Sequence, residues 1–254
     1  MRERCDSWMR ARVRKCAQGF ATVVAMATAF AVYADFTVID SATALDAGGA
    51  SGGDIVRRVD SGVDTYDIVH IFTNTTAAQT FTVPARNYIV PNSFQVLVVG
   101  GGGSGGSDCG GGGGAGGYLA LTSTLAPGTY SVIVGAGGGG WTNDGSNHHG
   151  ENGSPSVITN VSEGAEVALA LGGGGGATWS DKAGSNGGSG GGSITATASA
   201  ATQPTSTWGG FGNAGGTGNS SNAGGGGGGA GGAGTAGNAT GGTGGAGVEN
   251  EITG

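Results

Sequence analysis

The 254-residue chain holds 62 glycines, 5 prolines and only 11% charged residues, with a formal net charge of −7. A collagen needs glycine at every third position and abundant proline, and unbroken glycine runs at 110–114 and 224–229 exclude it. The acidic balance also argues against nucleic acid and anionic lipid as partners.

The chain opens with Arg2, Arg4, Arg10, Arg12, Arg14 and Lys15, followed by an apolar stretch over 20–34 that ends in Val32-Tyr33-Ala34. A basic start, a short apolar run and small residues before Asp35 are the three parts of an export signal, so residues 1–34 read as a signal peptide cut between Ala34 and Asp35. Fifteen apolar residues are fewer than the ~20 a membrane-spanning helix needs, so no span is expected after cleavage. The mature chain then keeps Arg57, Arg58, Arg86 and Lys182 against 15 acidic residues, a formal charge of −11. Cys5 and Cys16 leave with the leader. Cys109 remains, either a free thiol or an intermolecular link, with no neighbouring cation to activate it.

Composition shifts at Gly100: residues 35–99 contain five glycines and 100–254 contain 56. This divides the mature chain into an N-terminal β region, 35–99, and a glycine-rich domain, 100–254. In the first, the β-branched and aromatic runs 66–72 and 79–83 flank a polar 74–78 and predict a hairpin; 94–99 is a continuous apolar run and predicts a buried strand. In the second, 118–122 and 130–134 flank Ala126-Pro127-Gly128-Thr129 and predict another hairpin. Further strands are expected at 156–158 and 166–171. Beyond 184 only Ile194, Trp208 and Phe211 stand out as anchors.

Glycine loses about 0.5–1 kcal/mol more than alanine on ordering, so 56 of them carry a cost on the order of tens of kcal/mol. Extended glycine segments can offset this by approaching on every side and pairing their backbones as polyproline-II-like helices. The recurrent Val, Ile and Leu strands favour that ordered form over a linker across 100–180, with 184–254 the less protected part.

Patterns that resemble catalytic motifs fail on context. Gly100-x-Gly102-x-x-Gly105 follows a strand, but Ser107-Asp108-Cys109 and five glycines cannot continue as the helix that a dinucleotide site requires. Gly102-x-Ser104-x-Gly106, followed by Asp144 and His148, has the order of a hydrolase triad; the same text recurs at Gly187-x-Ser189-x-Gly191, as glycine-rich sequence produces by chance. Lys182 lacks a phosphate-binding loop before it. Asn143, Asp144, Ser146, Asn147, His148, His149 and Glu151 match neither zinc nor calcium spacing and read as a polar surface loop. No catalytic, cofactor-binding or metal-ligating residue is therefore expected, and no cofactor. Trp141, Trp179 and Trp208 sit beside glycine-rich turns; covering glycine backbone is their first expected role, and stacking on a partner the second.

Thr65-Tyr66-Asp67-Ile68-Val69-His70-Ile71-Phe72-Thr73, Thr80-Phe81-Thr82-Val83-Pro84, Val96-Leu97-Val98-Val99-Gly100-Gly101-Gly102-Gly103, Gly112-Gly113-Gly114-Ala115-Gly116-Gly117-Tyr118 and Pro127-Gly128-Thr129-Tyr130 occur in this order. With 132–138 and 170–176 they resemble the glycine-rich domain of secreted bacterial and phage proteins, over about 65–250. More distantly the chain is similar to the glycine-rich domain of anaplastic lymphoma kinase-type receptors. The resemblance implies an all-β fold, antiparallel strands and hairpins combined with packed polyglycine-II segments, and no catalytic residues. It also implies a closing apolar strand beyond Glu251-Ile252-Thr253-Gly254, and hence a C-terminally incomplete domain. The expected function is that of an exported, non-enzymatic structural or adhesive module outside the cell or on its surface. The alternative is a receptor-like binding module for a cell-surface glycan or protein.

Overall fold

The computed structural model describes residues 21–25, 50–62, 65–85, 93–141, 146–219, 223–250 and 252. Its strands are β1 (Ala21–Ala25), β2 (Ser51–Gly52), β3 (Ile55–Gly62), β4 (Thr65–Phe72), β5 (Gln79–Val83), β6 (Ser93–Val99), β7 (Tyr118–Thr124), β8 (Gly128–Ile133), β9 (Ser156–Asn160) and β10 (Ala165–Ala170). They form two five-stranded sheets, in the orders β3-β4-β1-β6-β7 and β10-β9-β8-β5-β2. The fold is all-β, and its only helical element among the described residues is a 3-10 turn at Gln203–Thr205.

The sheets face each other across one core. Phe72, Phe94, Val96, Val98 and Leu119 come from the first, and Phe81, Val83, Tyr130, Val132, Ile158 and Ala168 from the second. Phe81 sits at its centre, with Phe72, Phe94 and His70 edge-on to its ring at centroid distances of 6.1, 5.9 and 5.2 Å. The opposite face of the first sheet carries a smaller cluster of Val69, Ile71, Leu97 and Tyr118, against which Ala230 and Ile252 pack.

Neither expected hairpin forms. β4 pairs with β3 and β1, and β5 with β8 and β2. Burial matches the separation: β4 buries Val69 and Ile71 on one face and His70 and Phe72 on the other, as a strand of a sheet covered on both faces does, whereas β5 buries only Phe81 and Val83 on alternate positions. Likewise β7 pairs with β6 while β8 pairs with β5 and β9, so the stretch with Pro127 is a corner between sheets. Leu125 fills that corner, and the Tyr130 hydroxyl donates to the Ala126 carbonyl at 2.8 Å. The consecutive strands that do pair as hairpins are β3–β4 and β9–β10. Pairing is not wholly antiparallel either, since β1 runs parallel to both neighbours. The ladders β5–β8 and β6–β7 cross Gly100, so the change in composition there is not a break in the sheets.

The glycine runs are ordered by their own backbones. Gly100, Gly103 and Gly106 donate to the carbonyls of Gly117, Gly114 and Gly111, while Gly101, Ser104 and Ser107 donate to those of Ser154, Glu151 and His148. The carbonyls of Gly101 and Ser104 accept in turn from Gly173 and Gly176. Each partner chain is met at every third residue, the repeat of a polyglycine-II helix, so one chain serves several neighbours at once. Residues 111–117 repeat the scheme, with Gly111, Gly114 and Gly117 on Ala177, Gly174 and Leu171, and Gly112 and Ala115 on Gly225 and Gly228. Packing is too close for side chains: a Cβ on Gly103 would fall on the Gly174 carbonyl, and one on Gly176 on that of Gly111. The lattice continues past 184, where Gly190 and Ser193 donate to Asn213 and Gly216, and Gly242 and Gly245 to Gly224 and Gly227. The region expected to be least ordered is thus bonded into the rest.

Candidate functional site

Two of the three singled-out tryptophans belong to one surface cluster. Trp141 is 47% exposed, stacks on His148 with ring centroids 4.3 Å apart and planes 6° from parallel, and donates its indole N–H to the His149 carbonyl at 2.9 Å. The His149 ring reaches the carbonyl of Ala183 through Nε2 at 2.8 Å. Next to Ala183, the Lys182 ammonium lies 4.3 Å from the ring centre of Trp179, which is 39% exposed. Ser107 closes the circuit. Its Oγ accepts from the His148 N–H at 2.6 Å, and its carbonyl accepts from the Thr178 hydroxyl at 3.0 Å. The result is an aromatic face carrying one ammonium, held by carbonyls of the glycine lattice. Trp208 is elsewhere, half-buried and packed against the core between the sheets.

The residues of the glycine, serine and histidine patterns make the following contacts. Gly100-Gly101-Gly102 runs into lattice, not helix. The Ser104 hydroxyl accepts from the Glu151 N–H at 2.8 Å, and Ser189 is buried with its hydroxyl on the Gly229 carbonyl at 3.2 Å. Asn143 and Asp144 lie outside the described residues. The two ring nitrogens of His149 lie 2.8 Å from the carbonyls of Gly150 and Ala183, and Glu151 accepts from the Gly139 N–H at 3.0 Å. No cluster of three His, Cys, Asp or Glu able to hold a metal occurs among the described residues. Cys109 is free and exposed at the tip joining two glycine segments, where it and Asp108 take positive φ of 56° and 51°. The groove on the outer side of the first sheet, about 450 Å³, is lined by Gln95, Val96, Leu121, Thr122, Asn250 and Ile252, none of them titratable.

Three polar residues that the sequence did not single out hold the scaffold. Gln203 is fully buried; its Oε1 accepts from the Leu171 N–H at 2.7 Å, and its Nε2 donates to the carbonyls of Gly209 at 2.6 Å and Leu169 at 3.2 Å. It thereby ties the end of β10 to the 3-10 turn. His70 is buried too, with Nδ1 on the Gly52 carbonyl at 2.7 Å and Nε2 without a partner. Burial pushes its pKa below 6.5, against the opposing pull of the Gly52 carbonyl. Asp54 pins the crossing from β4 to β5. Burial would raise its pKa, but hydrogen bonds from the Thr73 N–H and hydroxyl, the Asn74 N–H and the Gln79 amide outweigh it and hold the carboxyl below 3.8. A side-chain acceptor 19 residues before the loop it organises leaves no local signal in sequence.

A family model described as a glycine-rich domain matches residues 73–254. No curated protein and no solved structure matches the chain. No helix among the described residues is long and apolar enough to cross a membrane.

Proposed function

We propose, from the premise that the chain belongs to the glycine-rich domain family, that it is an exported, non-enzymatic surface module whose glycine lattice is a rigid mount for an adhesive face. The observation that carries this reading is the placement of Trp141 and Trp179. Both rings stay exposed although their N–H, stacking and cationic neighbours fix the cluster from within. An ordered aromatic surface loses little entropy on binding, and flat rings beside hydrogen-bonding groups suit the apolar faces of sugars. That chemistry also supports the second reading, a receptor-like module for a glycan or protein ligand. Secretion follows from the tripartite start of the sequence, and a bacterial or phage source from the resemblance of the strand-and-glycine blocks.

A glycan and cell-surface binding array on the secreted protein tests the reading. Saturable binding that falls at least tenfold in Trp141→Ala and Trp179→Ala, with unchanged melting, is the expected result. Binding that survives both substitutions refutes the proposed face. Hydrolysis of any ester or glycoside that disappears in Ser104→Ala refutes the non-enzymatic assignment.

A further inference from the structure

Of the four edges of the two sheets, three are guarded. β3 carries Arg57, Arg58 and Asp60, and β2 is only two residues long. β10 carries the exposed Glu166, and its far end is covered by Gln203, whose Oε1 accepts from the Leu171 N–H at 2.7 Å and whose Nε2 donates to the Leu169 carbonyl at 3.2 Å. Charge, shortness and a covering group are the means by which a sheet keeps its edge from pairing with another chain. β7, the remaining edge, has none of them. Its residues Tyr118–Thr124 are uncharged and include no proline, and the same holds for β6 behind it.

The edge is also open. Tyr118 and Phe211 exchange both backbone hydrogen bonds, at 3.0 and 2.7 Å, so the N–H and C=O of Tyr118 point away from β6. Direction alternates along an antiparallel strand, and the β6–β7 register runs without a bulge, so the polar groups of Ala120, Thr122 and Thr124 point the same way. No backbone hydrogen bond reaches them among the described residues. The ladder that Phe211 begins stops after one bridge, because the chain turns aside at Gly209 and Gly210, which take positive φ of 65° and 99°. The side chains of Ala120, Thr122 and Thr124 are exposed, and the groove of about 450 Å³ borders the first two.

We propose that this edge pairs with the same edge of a second copy of the chain, antiparallel about a two-fold axis at Thr122. The register follows from which groups are free. With Thr122 opposite its own copy, Ala120 stands opposite Thr124, and each pair exchanges both N–H···O bonds. An axis at Ala120 would need the groups of Tyr118 that Phe211 already holds. Charge selects the copy as occupant. Self-pairing of β3 would bring Arg57 and Arg58 beside their own copies, and self-pairing of β10 would do the same with Glu166. β7 meets itself with no charge on either strand, although the chain carries a net −7. Threonine opposite threonine is a favourable cross-strand pair. On the inner side Leu121, half-buried against the core, lies opposite Ser123 of the second copy. Such a strip is smaller than the ~800 Å² per partner of a standard interface, so the dimer should be weak, with Kd in the micromolar range.

Sedimentation velocity of the purified protein from about 1 µM to about 300 µM should show a reversible monomer–dimer equilibrium. Thr122→Lys sets two ammonium groups side by side at the axis and should weaken the dimer about tenfold or more without moving the melting temperature. Thr122→Pro removes the outward N–H and no bond to β6, and should abolish the dimer; the lysine variant keeps the test decisive if the proline variant does not fold. Thr80→Lys, at an exposed position of the interior strand β5, controls for added charge and should leave the dimer intact. Hydrogen exchange ties association to its place: Ala120, Thr122 and Thr124 should exchange fast in dilute solution and slowly in concentrated solution, while Leu119, Leu121 and Ser123, turned toward β6, stay protected in both. A monomer throughout the range, a dimer that survives both Thr122 variants, or edge amides indifferent to concentration overturns the proposal. Open-ended assembly overturns it as well, because pairing about a two-fold axis closes at two copies.

Discussion

Replacing Gly103 by alanine isolates the energetics of the lattice. The added methyl would fall on the Gly174 carbonyl, inside the closest approach of any real Cβ, and the obstructing atoms are backbone, which cannot rotate away. The chain must shift, loosening the bond from the Gly103 N–H to the Gly114 carbonyl, 2.9 Å, and that from the Gly114 N–H to the Gly174 carbonyl, 2.8 Å. Overpacking costs about 1–3 kcal/mol and each weakened bond about 1 kcal/mol, so a loss of about 3–5 kcal/mol is expected. For a chain of this size that lowers the melting temperature by about 6–20 °C. Gly140 is the control, because nothing lies within 4 Å of its added Cβ. Gly140→Ala should change stability by less than about 0.5 kcal/mol or raise it slightly through the unfolded chain. The assay is urea unfolding of both variants followed by circular dichroism. Equal effects at the two positions would refute the close-packed lattice, since a loose glycine linker cannot tell them apart.

Two further substitutions test the buried polar groups. Gln203→Ala strands the Leu171 N–H and the Gly209 carbonyl in the interior and should cost about 2–4 kcal/mol in urea melts, with Gln203→Glu at least as damaging because it loses both donors. His70 makes stability pH-dependent: its folded pKa lies below the unfolded 6.5, so the unfolded chain binds the proton first and stability present at pH 7.5 is lost as pH falls below about 6.5, by up to ~1.4 kcal/mol per unit. Asp54, held below 3.8, contributes only at lower pH, so His70→Leu should flatten the slope between pH 7.5 and 5.

The strands were legible where β-branched residues cluster, as in β6, β8 and β9, because burial on one or both faces is written locally. Their partners were not. Sequence neighbours β4 and β5 invite a hairpin, and only the two-sided burial of Val69 to Phe72 against the one-sided burial of Phe81 and Val83 sends them to different sheets. β3 went unread because Arg57, Arg58 and Asp60 mask its Ile55, Val56 and Val59. The polyglycine packing was legible as a class, from glycine runs interrupted by strands, but not its registers, since glycine carries no side chain to encode a partner. At the candidate site the sequence marked Trp141 and Trp179 separately. What links them is the contacts of Ser107, His148 and His149, which are set by how segments 100–107, 146–153 and 173–177 align in the lattice.

Site-resolved hydrogen exchange across 100–117 tests the central claim most directly. Gly100, Gly101, Gly103, Ser104, Gly106 and Ser107 donate to backbone carbonyls, as do Gly111, Gly112, Gly114, Ala115 and Gly117. Gly102, Gly105, Gly113 and Gly116 fall between them in the three-residue repeat. The lattice predicts slow exchange at the first two groups and faster exchange at those four, a protection pattern of period three that neither a coil nor a β-strand produces. Uniformly fast exchange from 100 to 117 would contradict it.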